Sequence, residues 1–254
     1  DVFDKIENAA KIDMPVLILG DTGTGKELVA GTIHLLSKRK EKLFSVVDCL
    51  ALPSSLLESE LFGYTKGAFT GADREKTGLL EASKNGTIFI DEIGDASNAV
   101  QSNLLRFLDT GDVKKIGAIK YQKVNTRIIA ATNKDIYQLV ETGKFREELF
   151  YRLNKFIIQL PPLKQRKDDI KLLLDYFIEQ FNRKYSKNIK GLTKGAYGLL
   201  FNYDWPGNVR EFESEIERCV LSCTTSLITK ELLSPQISRL PTFSLPLKEI
   251  ENIS

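Results

Sequence analysis

Short apolar runs alternate with helical periodicity over the first 160 residues of the chain. The runs at residues 16–19, 44–47, 87–90, 127–131 and 156–160 have the length and composition of buried strands. Between these runs, apolar residues recur at helical spacing and predict two helices. The first contains Leu28, Val29, Ile33 and Leu36. The second, over about residues 95–108, contains Val100, Leu104, Leu105 and Leu108. Alternating strands and helices favour an α/β layer with five strands.

Pro161-Pro162 interrupts this alternation, and the following residues have helical periodicity with little strand signal. We therefore predict an α/β domain over residues 1–160 and a helical domain over residues 161–240. Three apolar stripes are expected to form the helical core: Leu172, Leu173, Phe177 and Phe181; Ala196, Leu199 and Leu200; and Val209, Phe212, Ile216 and Val220. The sequence Pro-Thr-Phe-Ser-Leu-Pro from Pro241 predicts a linker over residues 241–254.

The amino-acid composition limits the classes of partner and the cellular compartment that we expect for this chain. The chain has 254 residues, with 36 lysines and arginines against 34 acidic residues and a net charge of +2. This balance gives no one-signed field that would favour nucleic acid or a membrane surface. The three cysteines form neither a disulfide framework nor a four-ligand zinc pattern, so we expect a reducing cytoplasm. We see no leader sequence and no apolar run of the roughly 18 residues that span a bilayer.

The strongest chemical signal is a glycine-rich run between the first strand and the first long helix, Gly20-Asp21-Thr22-Gly23-Thr24-Gly25-Lys26. It matches the phosphate-loop pattern, in which backbone N–H groups and a helix N-terminus hold phosphates and the lysine contacts the terminal ones. The next residue is Glu27, where a serine or threonine that binds magnesium usually stands. The alternative is a glycine-rich turn with a chance lysine.

A second motif, Thr-Ile-Phe-Ile-Asp-Glu over residues 87–92, is an apolar strand that ends in two carboxylates. Ligands bind at the carboxyl ends of such strands. Asp91 is therefore predicted to hold Mg²⁺, and Glu92 to accept a hydrogen bond from the water that attacks the terminal phosphate. Acidic pairs after strands also cap helices, and the phosphate loop upstream favours the catalytic interpretation.

Between these motifs, two glycines bracket one aromatic residue and one hydroxyl in the hexapeptide Gly67-Ala68-Phe69-Thr70-Gly71-Ala72. Glycine permits backbone dihedrals that let a short segment stand out as a loop tip. Such loops commonly only turn the chain. An apolar side chain at the tip favours contact with a partner.

These motifs, in this order, resemble the central AAA+ domain of bacterial sigma-54-dependent transcriptional activators. The resemblance runs from about residue 15 to about residue 235 and includes Glu-Leu-Phe-Gly-Tyr from Glu60, Ala-Ala-Thr-Asn from Ala130, Phe-Arg-Glu-Glu-Leu-Phe-Tyr-Arg-Leu from Phe145 and Trp-Pro-Gly-Asn-Val-Arg-Glu from Trp205. It implies an AAA+ phosphate-loop fold, with a five-stranded parallel sheet flanked by helices and then a small all-α lid. A glutamate after the phosphate-loop lysine is similar to the family pattern.

The resemblance also implies roles for four polar residues. Asn133 matches the sensor of the γ-phosphate, and Arg210 matches the second sensor, in the lid. Arg146 and Arg152 match the arginines that reach the nucleotide of a neighbouring subunit, which implies a homo-oligomeric ring, a hexamer. From the residues alone, Asn133 is typical of a turn, and the arginines are typical of solvated side chains or of pairs with glutamates at helical spacing.

One position departs from the family pattern, because Asp48 precedes Cys49 where the family usually has asparagine. In the family this amide is thought to hold the catalytic glutamate until nucleotide binds. An amide can donate to Glu92, whereas an ionised Asp48 cannot, and two nearby carboxylates repel each other. We therefore expect nucleotide and motion to be coupled differently in this chain.

The resemblance implies an ATPase motor whose residues 67–72 contact sigma-54 in the RNA polymerase holoenzyme, near promoter DNA, and remodel the closed complex. Two alternatives stay open: a nucleotide-switched sigma-54-binding module with weak hydrolysis, and an AAA+ motor acting on another protein. Family members carry a sensory domain before this region and a helix-turn-helix domain after it. Since the sequence begins at Asp1, we expect a fragment that reaches enhancer DNA only through a domain outside it.

The single histidine and two of the cysteines are predicted to have structural roles. His34 has no acidic or cysteine partner at ligand spacing, and Cys219 and Cys223 lie one helical turn apart without further ligands. Residues 117–122 are either a second moving loop, by resemblance, or an ordinary hairpin.

Overall fold

The computed structural model describes residues 2–239, so the predicted linker lies outside the described residues. The chain divides into two compact units. The first consists of the residues up to Asp21 together with Gly25–Leu160, and the second consists of Thr22–Thr24 together with the residues from Pro161 onward. No helix within residues 2–239 is long and apolar enough to cross a bilayer.

A five-stranded parallel sheet forms the centre of the first unit. The strands of this unit are β1 (Val16–Leu19), β2 (Phe44–Asp48), β3 (Gly63–Tyr64), β4 (Lys76–Thr77), β5 (Thr87–Asp91), β6 (Asp112–Val113), β7 (Gln122–Lys123), β8 (Arg127–Thr132) and β9 (Ile157–Gln159). The central sheet has the order β2-β5-β8-β1-β9. This architecture confirms the predicted fold class and places each predicted strand within one or two residues of its expected bounds.

Helices cover both faces of this sheet. They are α1 (Val2–Lys11), α2 (Lys26–Leu36), α3 (Ser54–Phe62), α4 (Leu79–Ala82), α5 (Asn98–Thr110), α6 (Ile136–Glu141) and α7 (Glu147–Leu153). Successive strand residues point to opposite faces: Leu17 and Ile88 join one core, and Ile18 and Phe89 join the other. Because both faces are buried, the strands read as continuous apolar runs rather than as alternating ones.

The helix predicted from about residue 95 begins at Asn98, because Ser97 caps it by accepting a hydrogen bond from the Val100 N–H (3.4 Å). The apolar spacing from Leu28 to Leu36 correctly predicted the helix α2. Leu28 and Leu36 are nevertheless 76% and 57% exposed, whereas Ile33 is buried. A helix that lies on a sheet buries only one face, and periodicity alone did not identify which neighbouring apolar row belongs to it.

Two short hairpins project from the first unit. Strands β3 and β4 pair antiparallel around residues 65–75, and β6 and β7 pair antiparallel around residues 114–121. The segment at 117–122 therefore lies in a hairpin. The hairpins also bond each other, because the Thr65 N–H donates to the Ile116 carbonyl (3.0 Å) and the Ile116 N–H donates to the Gly63 carbonyl (2.9 Å).

The second unit is mainly helical. Its elements are α8 (Asp169–Tyr185), α9 (Lys194–Asn202), α10 (Asn208–Ser222), α11 (Pro235–Ser238) and a two-residue parallel pair, β10 (Gly191–Leu192) with β11 (Leu227–Ile228). Trp205 is buried in its core, edge-on to Phe212 at 4.7 Å between ring centroids. The prediction that Leu172 belongs to this core is wrong. Leu172 is 70% exposed, and Ile170 and Leu174 are the buried residues at this end of α8.

Three consecutive carbonyls of residues 22–24 are anchored within the second unit. The Asn208 Nδ2 donates to the Thr22 carbonyl (3.0 Å), and the Val209 N–H donates to the Gly23 carbonyl (3.0 Å). The Arg166 Nη2 donates to the Thr24 carbonyl (2.9 Å). Asn208 is fully buried, and its Oδ1 accepts the Leu163 N–H (2.8 Å), so one side chain joins the loop to the start of the helical unit.

We predict that Asn208→Ala destabilises the second unit. The substitution leaves the Leu163 N–H unpaired in the interior and removes the bond to Thr22, a loss of about 2 kcal/mol in the free energy of unfolding. Urea denaturation can be followed by the fluorescence of Trp205, the one tryptophan in the sequence. Asn188→Ala, at an exposed position of the same unit, is the matched control and is expected to change stability by less than about 0.5 kcal/mol. Equal unfolding midpoints for the two variants would contradict the anchoring role.

Candidate nucleotide-binding site

Several predicted site residues of the first unit lie at the carboxyl ends of the central strands. Strand β1 leads into the phosphate loop, β2 ends at Asp48, β5 ends at Asp91 and β8 is followed by Asn133. Asp48 and Asp91 are direct partners in the β2–β5 register. Because the strands are parallel, these ends share one edge of the sheet, the edge at which ligands bind in such folds.

The phosphate loop has the backbone geometry that anion binding requires. Gly23 (φ 79°) and Gly25 (φ 100°) adopt left-handed conformations that other residues rarely adopt. A Cβ at Gly23 would lie 2.3 Å from the Gly207 carbonyl oxygen. In a trans peptide the carbonyl and the following N–H point in opposite directions. The N–H groups of residues 23–25 therefore point away from the anchored carbonyls of residues 22–24.

Lys26 and Glu92 form a buried ion pair. The Lys26 Nζ donates to the Glu92 Oε1 (3.1 Å) and to the Gly20 carbonyl (3.1 Å), and only 6% of the Lys26 side chain is exposed. The other carboxylate oxygen, Oε2, accepts the Asn133 N–H (2.9 Å). Glu92 itself has a left-handed backbone (φ 49°), which is uncommon for a non-glycine residue. Three predicted site residues thus meet at one carboxylate.

The carboxylate of Asp91 is suited to bind Mg²⁺. One of its oxygens, Oδ1, accepts the Glu92 N–H (3.0 Å), and burial raises the pKa of the carboxyl group, with the charges of Glu92 and Asp48 acting in the same direction. A divalent cation relieves this kind of crowding of carboxylates. Within residues 2–239, no group of three or more His, Cys, Asp or Glu side chains is arranged to hold a metal ion. Mg²⁺ here would be held by Asp91 together with phosphate oxygens and water, which is its usual coordination in nucleotide enzymes.

Asp48 forms a local contact. Its Oδ1 accepts the Leu50 N–H (2.8 Å), which closes a turn after β2. Glu92 is held instead by Lys26 and by the backbone N–H of Asn133. Asp48 also acts at longer range, because its charge contributes to the raised pKa of Asp91. The adjacent Cys49 is buried, and burial followed by the nearby carboxylates raises the pKa of its thiol to about 12.

The three predicted arginines lie on the surface. Arg146 precedes α7 with an exposed side chain, while its backbone N–H donates to the Gln101 Oε1 (2.9 Å). Arg152 forms an ion pair with Asp109, with 2.5 Å between Nε and Oδ1, instead of with a glutamate of its own helix. Arg210 is an exposed residue in the first turn of α10, in the second unit, near the helix start as predicted.

The hexapeptide forms the tip of the β3–β4 hairpin. The Gly67 N–H donates to the Ala72 carbonyl (2.8 Å), and both glycines have positive φ, 80° at Gly67 and 95° at Gly71. Phe69 is 47% exposed and its ring lies edge-on to Tyr64 at 4.9 Å. Thr70 is exposed and Ala72 is buried. The loop therefore presents the aromatic ring and the hydroxyl to solvent on a closed turn.

Sequence reasoning missed the two side chains that anchor the phosphate loop, Arg166 and Asn208. A signal for Asn208 was present in Trp-Pro-Gly-Asn, because asparagine tolerates the left-handed conformation that it adopts here (φ 51°). No sequence signal identified Arg166. His34 is structural as predicted: it is buried, its Nδ1 lies 3.0 Å from the Thr87 Oγ1, and burial lowers its pKa.

Two family models together match most of the chain. Residues 1–159 match the family described as "Sigma-54 interaction domain", and residues 164–244 match "AAA+ ATPase lid domain". "Transcriptional regulatory protein ZraR" of Salmonella typhimurium is 45% identical over 240 residues, covering 94% of this chain and 54% of that protein. "Nif-specific regulatory protein" of Azotobacter vinelandii is 45% identical over 233 residues, covering 92% and 44%.

Among solved structures, NtrX from Brucella abortus in complex with ATP is similar, with a TM-score of 0.87 and 31% identity over 98% of this chain and 58% of that one. The complex of NtrX with ADP is equally similar. The chain thus spans about half the length of these relatives. The chain belongs to the sigma-54 interaction domain family, the AAA+ domain of bacterial sigma-54-dependent transcriptional activators.

Proposed function

We propose that this chain is an ATP-hydrolysing motor domain that contacts sigma-54 through residues 67–72 and remodels the closed complex of RNA polymerase. The observation that carries the proposal is the contact of Lys26 and Asn133 with the Glu92 carboxylate, at the sheet edge that also carries Asp91. These contacts give the carboxylate a fixed position beside the phosphate loop. A fixed carboxylate beside a phosphate site is the arrangement that hydrolysis by an activated water requires.

Each of four residues has a separate role in the proposed hydrolysis of ATP. Lys26 has three N–H donors, so besides its two protein contacts it can donate to a phosphate oxygen. Asp91 holds Mg²⁺, which neutralises charge on the phosphates. Glu92 orients and polarises the attacking water, and the two groups that bond its oxygens hold the carboxylate in place. Asn133 is the sensor that responds to the γ-phosphate.

A second copy of the chain completes the site in this proposal. Arg146 is exposed in the first unit, as an arginine that serves a neighbouring subunit would be. Arg152 is the alternative finger, since its pair with Asp109 is half-exposed and exposed pairs contribute little stability. An arginine supplied in trans typically accelerates phosphoryl transfer by about three to five orders of magnitude. Exposed apolar residues Leu28 and Leu36 on α2 support burial against another subunit, in a hexameric ring.

The hexapeptide is the proposed output of the motor. Phe69 and Thr70 stand exposed at the tip of the hairpin, where they can contact a protein surface. The relatives ZraR and the Nif-specific regulator are named as regulatory proteins, which supports a transcriptional target. A motor acting on another protein is the alternative, and binding of the chain to sigma-54 in the presence of a transition-state nucleotide analogue separates the two.

Glu92→Gln removes the charge that polarises water but keeps the shape of the side chain. We expect nucleotide binding to persist and hydrolysis to fall by about two to four orders of magnitude. The measurement is single-turnover ATP hydrolysis by the assembled oligomer. Glu141→Gln, at an exposed position of the same unit, is the control and should hydrolyse ATP at the wild-type rate. A wild-type chain without a phosphate burst would leave a nucleotide-switched binding module as the function.

Thr70→Ala removes the exposed hydroxyl of the hexapeptide. We expect a much larger loss of sigma-54 binding than of ATPase rate, because Thr70 lies on the hairpin and not at the carboxyl edge of the sheet. Pull-down of sigma-54 with a transition-state nucleotide analogue measures the binding. Asp73→Ala, an exposed change just outside the hexapeptide, should bind as the wild type does. Retained sigma-54 binding by Thr70→Ala would count against the loop assignment.

Asp48→Asn tests the departure from the family pattern. The amide keeps an oxygen for the Leu50 N–H but removes a negative charge from the surroundings of Asp91. We expect the number of ATP molecules hydrolysed per open promoter complex to change more than the nucleotide affinity does. The two quantities are measured on the same preparation, by phosphate release during promoter opening and by equilibrium titration. Equal loss of both would refute the prediction.

A further inference from the structure

A second cavity lies where strands β5 and β8 begin, away from the carboxyl ends of the sheet. Its volume is about 470 Å³, within the usual size range of small-molecule sites. Four cationic side chains line it, Arg39, Lys84, Lys123 and Arg127, against a single carboxylate, Asp13. The cavity lies entirely in the first unit, and it contains none of the residues assigned above to nucleotide.

Arg39 and Asp13 form one wall of this cavity. The Arg39 Nε donates to the Asp13 Oδ1 (2.8 Å) and Nη2 donates to Oδ2 (2.7 Å), so the pair is bidentate. Further donations to the Gly86 carbonyl (2.9 Å) and to the Asn125 Oδ1 (2.7 Å) fix the guanidinium. The Arg39 hydrogen bond lowers the pKa of Asp13, which keeps the carboxylate charged. The single carboxylate of the cavity is therefore bonded to Arg39, while its charge also acts on Arg127.

Arg127 is a buried cation that no carboxylate within residues 2–239 bonds directly. It is 4% exposed, and its Nε and Nη2 donate to the carbonyls of Met14 (3.3 Å) and Ala9 (2.7 Å). Within residues 2–239, no carboxylate forms an ion pair with it and no protein acceptor bonds its Nη1. Burial lowers the pKa of Arg127, and the charge of nearby Asp13 opposes this shift only in part. Buried charges are ordinarily paired, since an isolated one is costly to remove from water.

The remaining residues that line the cavity include two long cationic side chains and three apolar ones. Lys84 is exposed and has no ion pair among the described residues. Lys123 is 75% exposed, donates a hydrogen bond to the Thr110 carbonyl and lies 3.4 Å from the Asp112 Oδ1. Both side chains end on flexible stems that can turn toward an anion. Met14, Phe107 and Val124 contribute apolar surface beside these charges. The combination is suited to a molecule with an apolar body and an anionic group.

We propose that this cavity binds a small organic anion, a phosphate or carboxylate carried on an aromatic or aliphatic body. The anionic group lies against Arg127 and the two lysines, and the body lies against Met14 and Phe107. The site is independent of the proposed function, because its residues belong to the opposite edge of the sheet from Lys26 and Glu92.

Met14 makes the site directly observable, since the sequence contains one methionine and that residue lines the cavity. Protein labelled with ¹³C at the methionine methyl group is titrated with phenyl phosphate, benzoate and benzyl alcohol, with MgADP in excess so that the phosphate loop is saturated. Loss of the signal in Met14→Leu assigns it. We expect a saturable shift of this signal with at least one of the two anions, and the stronger of them identifies the preferred group. No shift with either anion, or an equal shift with benzyl alcohol, would overturn the proposal.

The charge requirement is tested by the double substitution Lys84→Gln/Lys123→Gln. Removing two cations near the anion is expected to weaken its binding about tenfold. Lys144→Gln/Lys155→Gln removes the same charge from exposed positions of the same unit and should leave the affinity as in the wild type. Equal affinities for the two double variants would mean that the lysines do not recognise the anion, and the proposed site would then be wrong.

Discussion

The parallel direction of the five central strands is the constraint on which the rest of the structure depends. Parallel strands end at one edge of a sheet, so the phosphate loop, Asp91 and Asn133 arrive side by side although they lie far apart in sequence. The same constraint makes the start of every strand meet at the other edge, where Arg127 is buried. One architectural rule therefore creates two chemically different edges, one carrying carboxylates beside a phosphate loop and the other mainly cationic.

At the carboxyl edge, the Glu92 carboxylate is the point at which separate elements meet. Burying the charges of Lys26 and Glu92 is costly, and the geometry compensates by bonding both oxygens of the carboxylate and by adding the Gly20 carbonyl to the ammonium group. The left-handed backbone of Glu92 is a second cost at the same residue. Strain and buried charge concentrated at one position are typical of functional sites, because surrounding contacts must hold them in place.

The hairpins lie apart from this edge in sequence but are joined to each other by backbone hydrogen bonds. Ile116 accepts from Thr65 and donates to Gly63, so the base of the hexapeptide hairpin and the 114–121 hairpin form one connected surface. Gly117 also lies against this base, because a Cβ there would approach the Ala68 Cβ within 2.9 Å. Movement of one hairpin is thereby expected to require movement of the other.

Elements whose signal is local were predictable from the sequence. Glycine spacing, apolar runs and strand length predict the phosphate loop, the acidic end of β5 and the five strands, and the order of the motifs carries the family resemblance. The partners that meet across long separations became visible only in the folded chain. Three features join residues that are far apart in sequence and share no periodic pattern. They are the Lys26–Glu92 pair, the anchoring of residues 22–24 by Asn208 and Arg166, and the burial of Arg127. The exposure of Leu28, Leu36 and Leu172 has the same origin, because helical spacing identifies an apolar row but packing against neighbours decides which row is buried.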